Sequence, residues 1–184
     1  MKLSVKKCQI PANTMLDKYS TKGAYVDCYR TETPRQVSFP EFIFAFYTTP
    51  LFKLERFILK LIVAKPSTDL QARQLADGSR NEFAAWHVES RKDHEILMCD
   101  FRGHTRSWLM LNHIDMNGDP RTHLYFGSAV VPIRNSKTGE RSTERGYQAL
   151  LGFHKIYSVL LLYSSTLHIQ HRFRDSHGTQ DQFH

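Results

Sequence analysis

The apolar residues of this chain follow successive periods, and the points where the period changes mark its elements. From Gly23 to Thr31, the residues Tyr25, Asp27 and Tyr29 alternate with Val26, Cys28 and Arg30, a period of two that predicts a strand. Pro34 ends it, and Ser38-Phe-Pro-Glu41 then reads as a capping box followed by Phe39, Phe42, Ile43 and Phe46 at helical spacing. Thr49-Pro50 breaks that helix, because proline disfavours helical geometry in the residue before it, and opens a second one over Leu51 to Lys65. There Leu51, Leu54, Ile58, Leu61 and Ile62 form an apolar stripe opposite Lys53, Arg56 and Lys60. A third short helix runs from Thr68 or Asp69 to Ala76 and closes at Asp77-Gly78.

At Phe83 the two-residue period returns, predicting strands over Phe83 to Arg91, Glu95 to Arg102, Thr105 to Asp115 and Thr122 to Arg134. Their links are short and polar, as between antiparallel neighbours, and Asn117-Gly118 is a favoured turn pair because both residues tolerate positive φ. The final period is helical. Over Gly146 to His168, one side carries Tyr147, Leu150, Leu151, His154, Ser158, Leu161 and Ser165, and the other Ala149, Phe153, Ile156, Leu160, Tyr163 and Leu167. Only a strip at Gln148, Lys155 and Thr166 prefers water, so this helix must be enclosed. Lys155 leaves Ile156 to Tyr163 uninterrupted, well short of the roughly 20 residues a bilayer requires, and the helix is therefore expected in a protein core.

These elements predict an α+β fold in which a curved antiparallel sheet packs on a long C-terminal helix. The expected organisation is an N-terminal arm over residues 1–22, one domain over 23–168 and a polar tail over 169–184.

Composition alters this picture little. A chain of 184 residues, 41% hydrophobic and 23% charged, is ordinary for one globular domain. The 25 Lys and Arg against 18 Asp and Glu give +7, but the charges are scattered, so the expectation is no nucleic-acid partner and at most weak contact with an anionic membrane through Lys53, Arg56 and Lys60. Cys8, Cys28 and Cys99 are odd in number and far apart in sequence, which reads as free thiols in a reducing compartment. No apolar run follows Lys2, Lys6 and Lys7, so the expected location is cytoplasmic. No metal spacing, P-loop or G-x-S-x-G is found, and no cofactor is expected.

The candidate chemistry centres on His154, ionisable yet on an apolar side of a helix that must be enclosed. It is either a hydrogen-bonded neutral core histidine or an acid, base or ligand donor. Asp27 is its natural partner if the Tyr25, Asp27, Tyr29 face points inward, and a merely solvated carboxylate if that face points outward. Around the Gly103 turn, Asp100, Arg102 and Arg106 read either as an exposed ion-pair set or as orienters of a ligand carboxylate or phosphate, with Met98 and Trp108 in register. Trp86, Trp108 and Tyr125 are candidate aromatic walls.

The element order resembles the helix-grip fold of the START-like superfamily, which includes polyketide-cyclase-like proteins. The segments Leu97-Met-Cys-Asp-Phe-Arg-Gly-His-Thr-Arg-Ser-Trp-Leu-Met-Leu111 and Leu150-Leu-Gly-Phe-His-Lys-Ile-Tyr157 are similar to a bacterial family of unknown function also found fused to dehydrogenase-like domains. The resemblance covers about residues 24–168 and implies a cavity between sheet and helix, with Tyr25, Tyr29 and Tyr157 joining the lining. It implies no reaction. The expected function is binding of a small, largely apolar ligand with one polar or acidic head; the alternatives are a proton-transfer enzyme of cyclase or isomerase type using His154 and a carboxylate, and a membrane-surface or partner-binding adaptor.

Overall fold

The computed structural model describes residues 3–21, 24–54, 67–131 and 157–170. Seven strands form one antiparallel sheet: β1 (Lys6–Lys7), β2 (Tyr25–Thr33), β3 (Glu82–Phe83), β4 (Trp86–Lys92), β5 (Glu95–Asp100), β6 (Thr105–Met116) and β7 (Asp119–Val130). Their order is β1-β2-β7-β6-β5-β4-β3, so the meander from β3 to β7 is completed by the early strand β2. The helices are α1 (Asp17–Ser20), α2 (Phe39–Tyr47), α3 (described over 50–54), α4 (Asp69–Asp77) and α5 (described over 157–170). The chain is thus mixed α+β, with an open antiparallel sheet and a C-terminal helix.

Local chemistry accounts for the boundaries. The Ser38 hydroxyl accepts from the Glu41 amide at 3.3 Å, starting α2, while the Glu41 carboxylate turns aside to pair with Arg35 rather than completing the box. Thr49 accepts from the Phe52 amide at 3.1 Å and starts α3. A full capping box between Thr68 and Gln71 starts α4, and Gly78 ends it at φ 85°. Asn117 and Gly118, both at positive φ, make the β6–β7 turn. The strand expected over Phe83 to Arg91 is split by Ala84, whose φ of 52° separates β3 from β4.

Side chains alternate across the sheet, and both faces are covered. On one face lie the helices: Phe42, Ile43 and Phe46 of α2, Phe52 of α3, Leu75 of α4, and Leu161, Leu162 and Ile169 of α5 pack with Tyr29, Ile96, Leu109 and Phe126. In α3, Phe52 enters this core, whereas Leu54, expected on the buried stripe, is 56% exposed. Helix α5 buries Ser158, Leu161, Leu162, Ser165, Thr166 and Ile169 along one side. Leu160 and Tyr163 are 48% and 40% exposed, so the expected enclosure on nearly all sides does not hold for 157–170; Thr166 is buried instead of wetted because its hydroxyl donates to the Leu162 carbonyl at 2.7 Å.

The opposite face carries a second core, built from the segment that the polar pattern marks as an arm. Met15, Leu16 and Tyr19 are buried against Cys28, Leu97, Trp108, Tyr125 and Ala129. Leu16 lies over Gly127, where an added Cβ would also meet the Asp27 carbonyl oxygen at 2.9 Å and Trp108 at 3.1 Å. The glycine is needed here for close approach. Within residues 3–21, Met15, Leu16 and Tyr19 thus pack this N-terminal segment onto the sheet.

Candidate functional site

The direction of Asp27, left open by the sequence, is inward. It is 2% exposed, on the helix-facing side of β2, level with Ser128 of β7 and Ser107 of β6. The Ser128 hydroxyl donates to Asp27 Oδ1. Asp27, Ser128 and Ser107 thus form a polar row across three adjacent strands of a face whose core is aliphatic and aromatic. A buried carboxylate demands such donors, because leaving it bare would cost several kcal/mol, on the order of the penalty for any uncompensated buried charge. Tyr25 and Tyr29 flank Asp27 on the same side of β2. Burial, and then the negative charge of Asp27, push the Tyr29 phenol up to about 12, so this tyrosine stays a neutral donor.

Further along the same face, the hydroxyls of Thr31 and Thr33 are buried and have no hydrogen-bond partner among the described residues. Buried polar atoms are rarely left unsatisfied, which sets these two hydroxyls apart from the rest of the face. Sequence reading missed both: threonine in a strand is unremarkable until its depth is known.

The other expected site residues divide between the two faces. Met98 pairs with Ser107 and packs in the helix-side core; Trp86 is opposite Asp100 and packs against that core, as does Tyr157. Trp108, Tyr125 and Arg106 lie on the far face, because Trp108 pairs with Leu97 one position out of phase with Met98. A one-residue offset reverses the side in a strand, so these three do not share a space with Asp27. Asp100 accepts from the amides of His104 and Thr105, at 2.7 and 3.1 Å, and fixes the β5–β6 turn. Arg102 lies at that turn over the ring of Phe101. His154 lies outside the described residues, as do Arg56 and Lys60; Lys53 is paired with Asp69 at 2.8 Å.

The far face has its own polar system, and it holds the N-terminal layer down. Glu95 Oε2 accepts from the Met15 amide and from the Trp108 indole, both at 2.9 Å, and Lys92 pairs with Oε1. Burial opposes ionisation of Glu95, but the bonds from Met15, Lys92 and Trp108 prevail and hold its carboxyl below the ordinary carboxylate value. A bulge between Val88 and Ser90 leaves Glu89 as the extra residue of β4. Its carboxylate accepts from Lys18, from the Tyr19 hydroxyl and from Arg106, the last at 2.8 Å. Burial again works against the charge, yet these donors hold Glu89 down at about 2. The guanidinium that sequence reading offered to a ligand is thereby committed to a structural carboxylate.

Among the described residues, no group of three His, Cys, Asp or Glu side chains is placed to hold a metal, and no helix is long and apolar enough to cross a membrane. No family model and no curated protein matches the chain.

Proposed function

We propose that the protein is a small-ligand-binding module of the helix-grip, START-like kind, taking a largely apolar molecule with one polar head between the sheet and the C-terminal helix. The observation that carries this reading is the buried row Asp27, Ser128 and Ser107, set into an apolar face beneath the helical layer. Binding sites for small molecules combine mostly apolar walls with a few convergent polar groups, and Thr31 and Thr33 add two buried hydroxyls with capacity to spare. The buried side of helix α5 is itself half hydroxylated, with Ser158, Ser165 and Thr166 among its six buried residues, although Ser165 and Thr166 donate to the Leu162 carbonyl.

Charge narrows the ligand. Asp27 repels an anionic head, and Arg106, the cation expected to attract one, is bound to Glu89 on the other face. A neutral hydroxyl or an amine that donates to Asp27 suits this surface; a carboxylic acid does not. Thermal shift of the full chain against long-chain alcohols, isoprenoid alcohols, alkylamines, fatty acids and aromatic acids tests this. The reading requires stabilisation by the alcohols or amines, reduced in Asp27→Asn; a response to the acids alone, or to nothing in the panel, would count against it. Binding to the native state raises stability by about 2.7 kcal/mol when the ligand is at 100 times its Kd, a readily measured change.

The burial of Asp27 also favours a second reading, a proton-transfer enzyme with His154 and Asp27 as its acid and base. It requires that turnover of an enclosed substrate be abolished by His154→Gln while binding persists. Unchanged binding and no turnover in the parent protein would leave the binding module alone.

A further inference from the structure

We propose that Cys8 and Cys28 are a peroxide-sensitive dithiol that closes to a disulfide and locks the N-terminal layer onto the sheet. The Cys8 amide donates to the Cys28 carbonyl at 2.9 Å, continuing the ladder in which Lys6 faces Arg30 and Lys7 faces Tyr29. The two cysteines therefore face one another directly, and their Sγ atoms are 3.4 Å apart. Facing residues of an antiparallel pair have Cα atoms about 4.5–5.5 Å apart. That spacing lies inside the range of about 4.4–6.8 Å that a disulfide spans, so closure needs only side-chain rotation.

Access and electrostatics divide the labour between the two sulfurs. Cys8 is half-buried, while Cys28 is fully buried among Leu16, Trp108 and Ala129; both line an open groove of about 370 Å³ that also includes Lys7 and Gln9. The hydrogen bond between the two thiols lowers Cys8 despite its partial burial, and Arg30 helps; the same bond, with burial, raises Cys28. Cys8 is thus the attacking thiolate and Cys28 the resolving thiol. The third thiol, Cys99, is raised by burial and has no neighbouring sulfur among the described residues.

The oxidant is hydrogen peroxide. The Cys8 thiolate attacks one peroxide oxygen, the O–O bond breaks, and the departing hydroxide takes up a proton, leaving Cys8 sulfenic acid and water. The Cys28 sulfur then attacks the Cys8 sulfur, the S–O bond breaks, and the thiol proton leaves with the hydroxide as a second water. The two thiols together lose two electrons and two protons, and one peroxide becomes two waters.

The test uses the full chain, treated with graded hydrogen peroxide, quenched with catalase, and examined by intact mass and peptide mapping. Cys8 and Cys28 should disappear together with a loss of about 2 Da, reversed by dithiothreitol, while Cys99 remains open to alkylation after unfolding. In Cys28→Ser, oxidation should stop at a Cys8 sulfenic acid trapped by dimedone. The native-protein measurement stands whether or not that variant folds. Oxidation of Cys8 to sulfinic acid without a linked peptide, earlier oxidation of Cys99, or three unreacted thiols at peroxide doses that oxidise free cysteine would each overturn the proposal.

Discussion

Ser128 donates its hydroxyl hydrogen to Oδ1 of Asp27 across the β2–β7 pair, on the side of the sheet that the helices cover. The two residues are 101 positions apart, and the bond sits where the first long strand closes onto the last. Removing the hydroxyl leaves a buried carboxylate with one donor fewer. Ser128→Ala is expected to cost about 1–3 kcal/mol in urea unfolding, and Ser128→Thr to recover part of that. A cost below about 0.5 kcal/mol, the usual range for unremarkable surface changes, would show that the bond is not a significant donor to Asp27.

Leu16 over Gly127 supplies a second test, this one on the far face. Gly127→Ala forces a methyl group into space that Leu16 and the Asp27 carbonyl already occupy, an overpacking change worth about 1–3 kcal/mol. Its signature is local: the layer over residues 3–21 should lift, so that limited trypsinolysis cuts at Lys18 well before the rest of the sheet. Leu16→Ala should produce the same early cut, through loss of the plug rather than a clash. Uniform proteolysis of both variants would mean that the segment is not held by this contact.

Glu95 is the anchor that joins backbone to core on that face, accepting from Met15 and Trp108 together. Glu95→Ala removes both bonds and leaves the indole N–H buried without an acceptor. The loss should be about 1.5–3 kcal/mol, with Trp108 fluorescence shifted to the red as water reaches the ring. Glu95→Gln keeps an acceptor and should retain more of the stability than Ala does. Equal losses in the two variants would argue against a hydrogen-bonding role.

Glu89 and Tyr19 make the stability of the same layer depend on pH, alongside Glu95, whose carboxyl is also lowered. Glu89 is held at about 2, below its ordinary value of 4.5, so it stabilises the fold fully above 4.5 and loses that contribution as pH falls from 4.5 toward 2. Tyr19 moves the other way, from 10 up to about 12, raised by burial and then by its bond to Glu89. Its contribution is complete below 10 and fades as pH rises toward 12. Urea midpoints followed from pH 2 to 5 should flatten in Glu89→Gln, and those from pH 9.5 to 11.5 in Tyr19→Phe. Unaltered acid and alkaline limbs in the variants would show that other groups set them.

The sequence displays what depends on period and on local chemistry, and hides what depends on depth. Ser38, Thr68, Gly78 and Asn117-Gly118 signal their caps and turns because each acts on backbone within a few residues, and all are found at the expected places. The inward direction of Asp27 could not be read, since tyrosines on either side suit both a buried and a wetted face. Met98 and Trp108 are expected in register around the Gly103 turn, but Met98 pairs with Ser107 and Trp108 with Leu97, so the two side chains fall on opposite faces. The N-terminal layer is hard to read for a different reason: only Met15, Leu16 and Tyr19 are deeply buried there, and the rest of its attachment runs through a two-residue strand paired with β2 and through Glu89 and Glu95, at least 70 residues from their partners. The nearness of Cys8 to Cys28 is likewise a property of register alone.

Amide NMR reports most directly on whether the helix-facing polar row receives a ligand's polar head, as proposed. The full chain, labelled with nitrogen-15, is titrated with 1-octanol as a minimal apolar molecule with a neutral head. Saturable shifts are expected at the amides of Asp27, Thr31, Ser107 and Ser128, with the Trp108 indole N–H on the opposite face unmoved. Shifts that grow without saturation, or that fall on the Trp108 indole and Met15 while Asp27 and Ser107 stay still, would contradict the proposal.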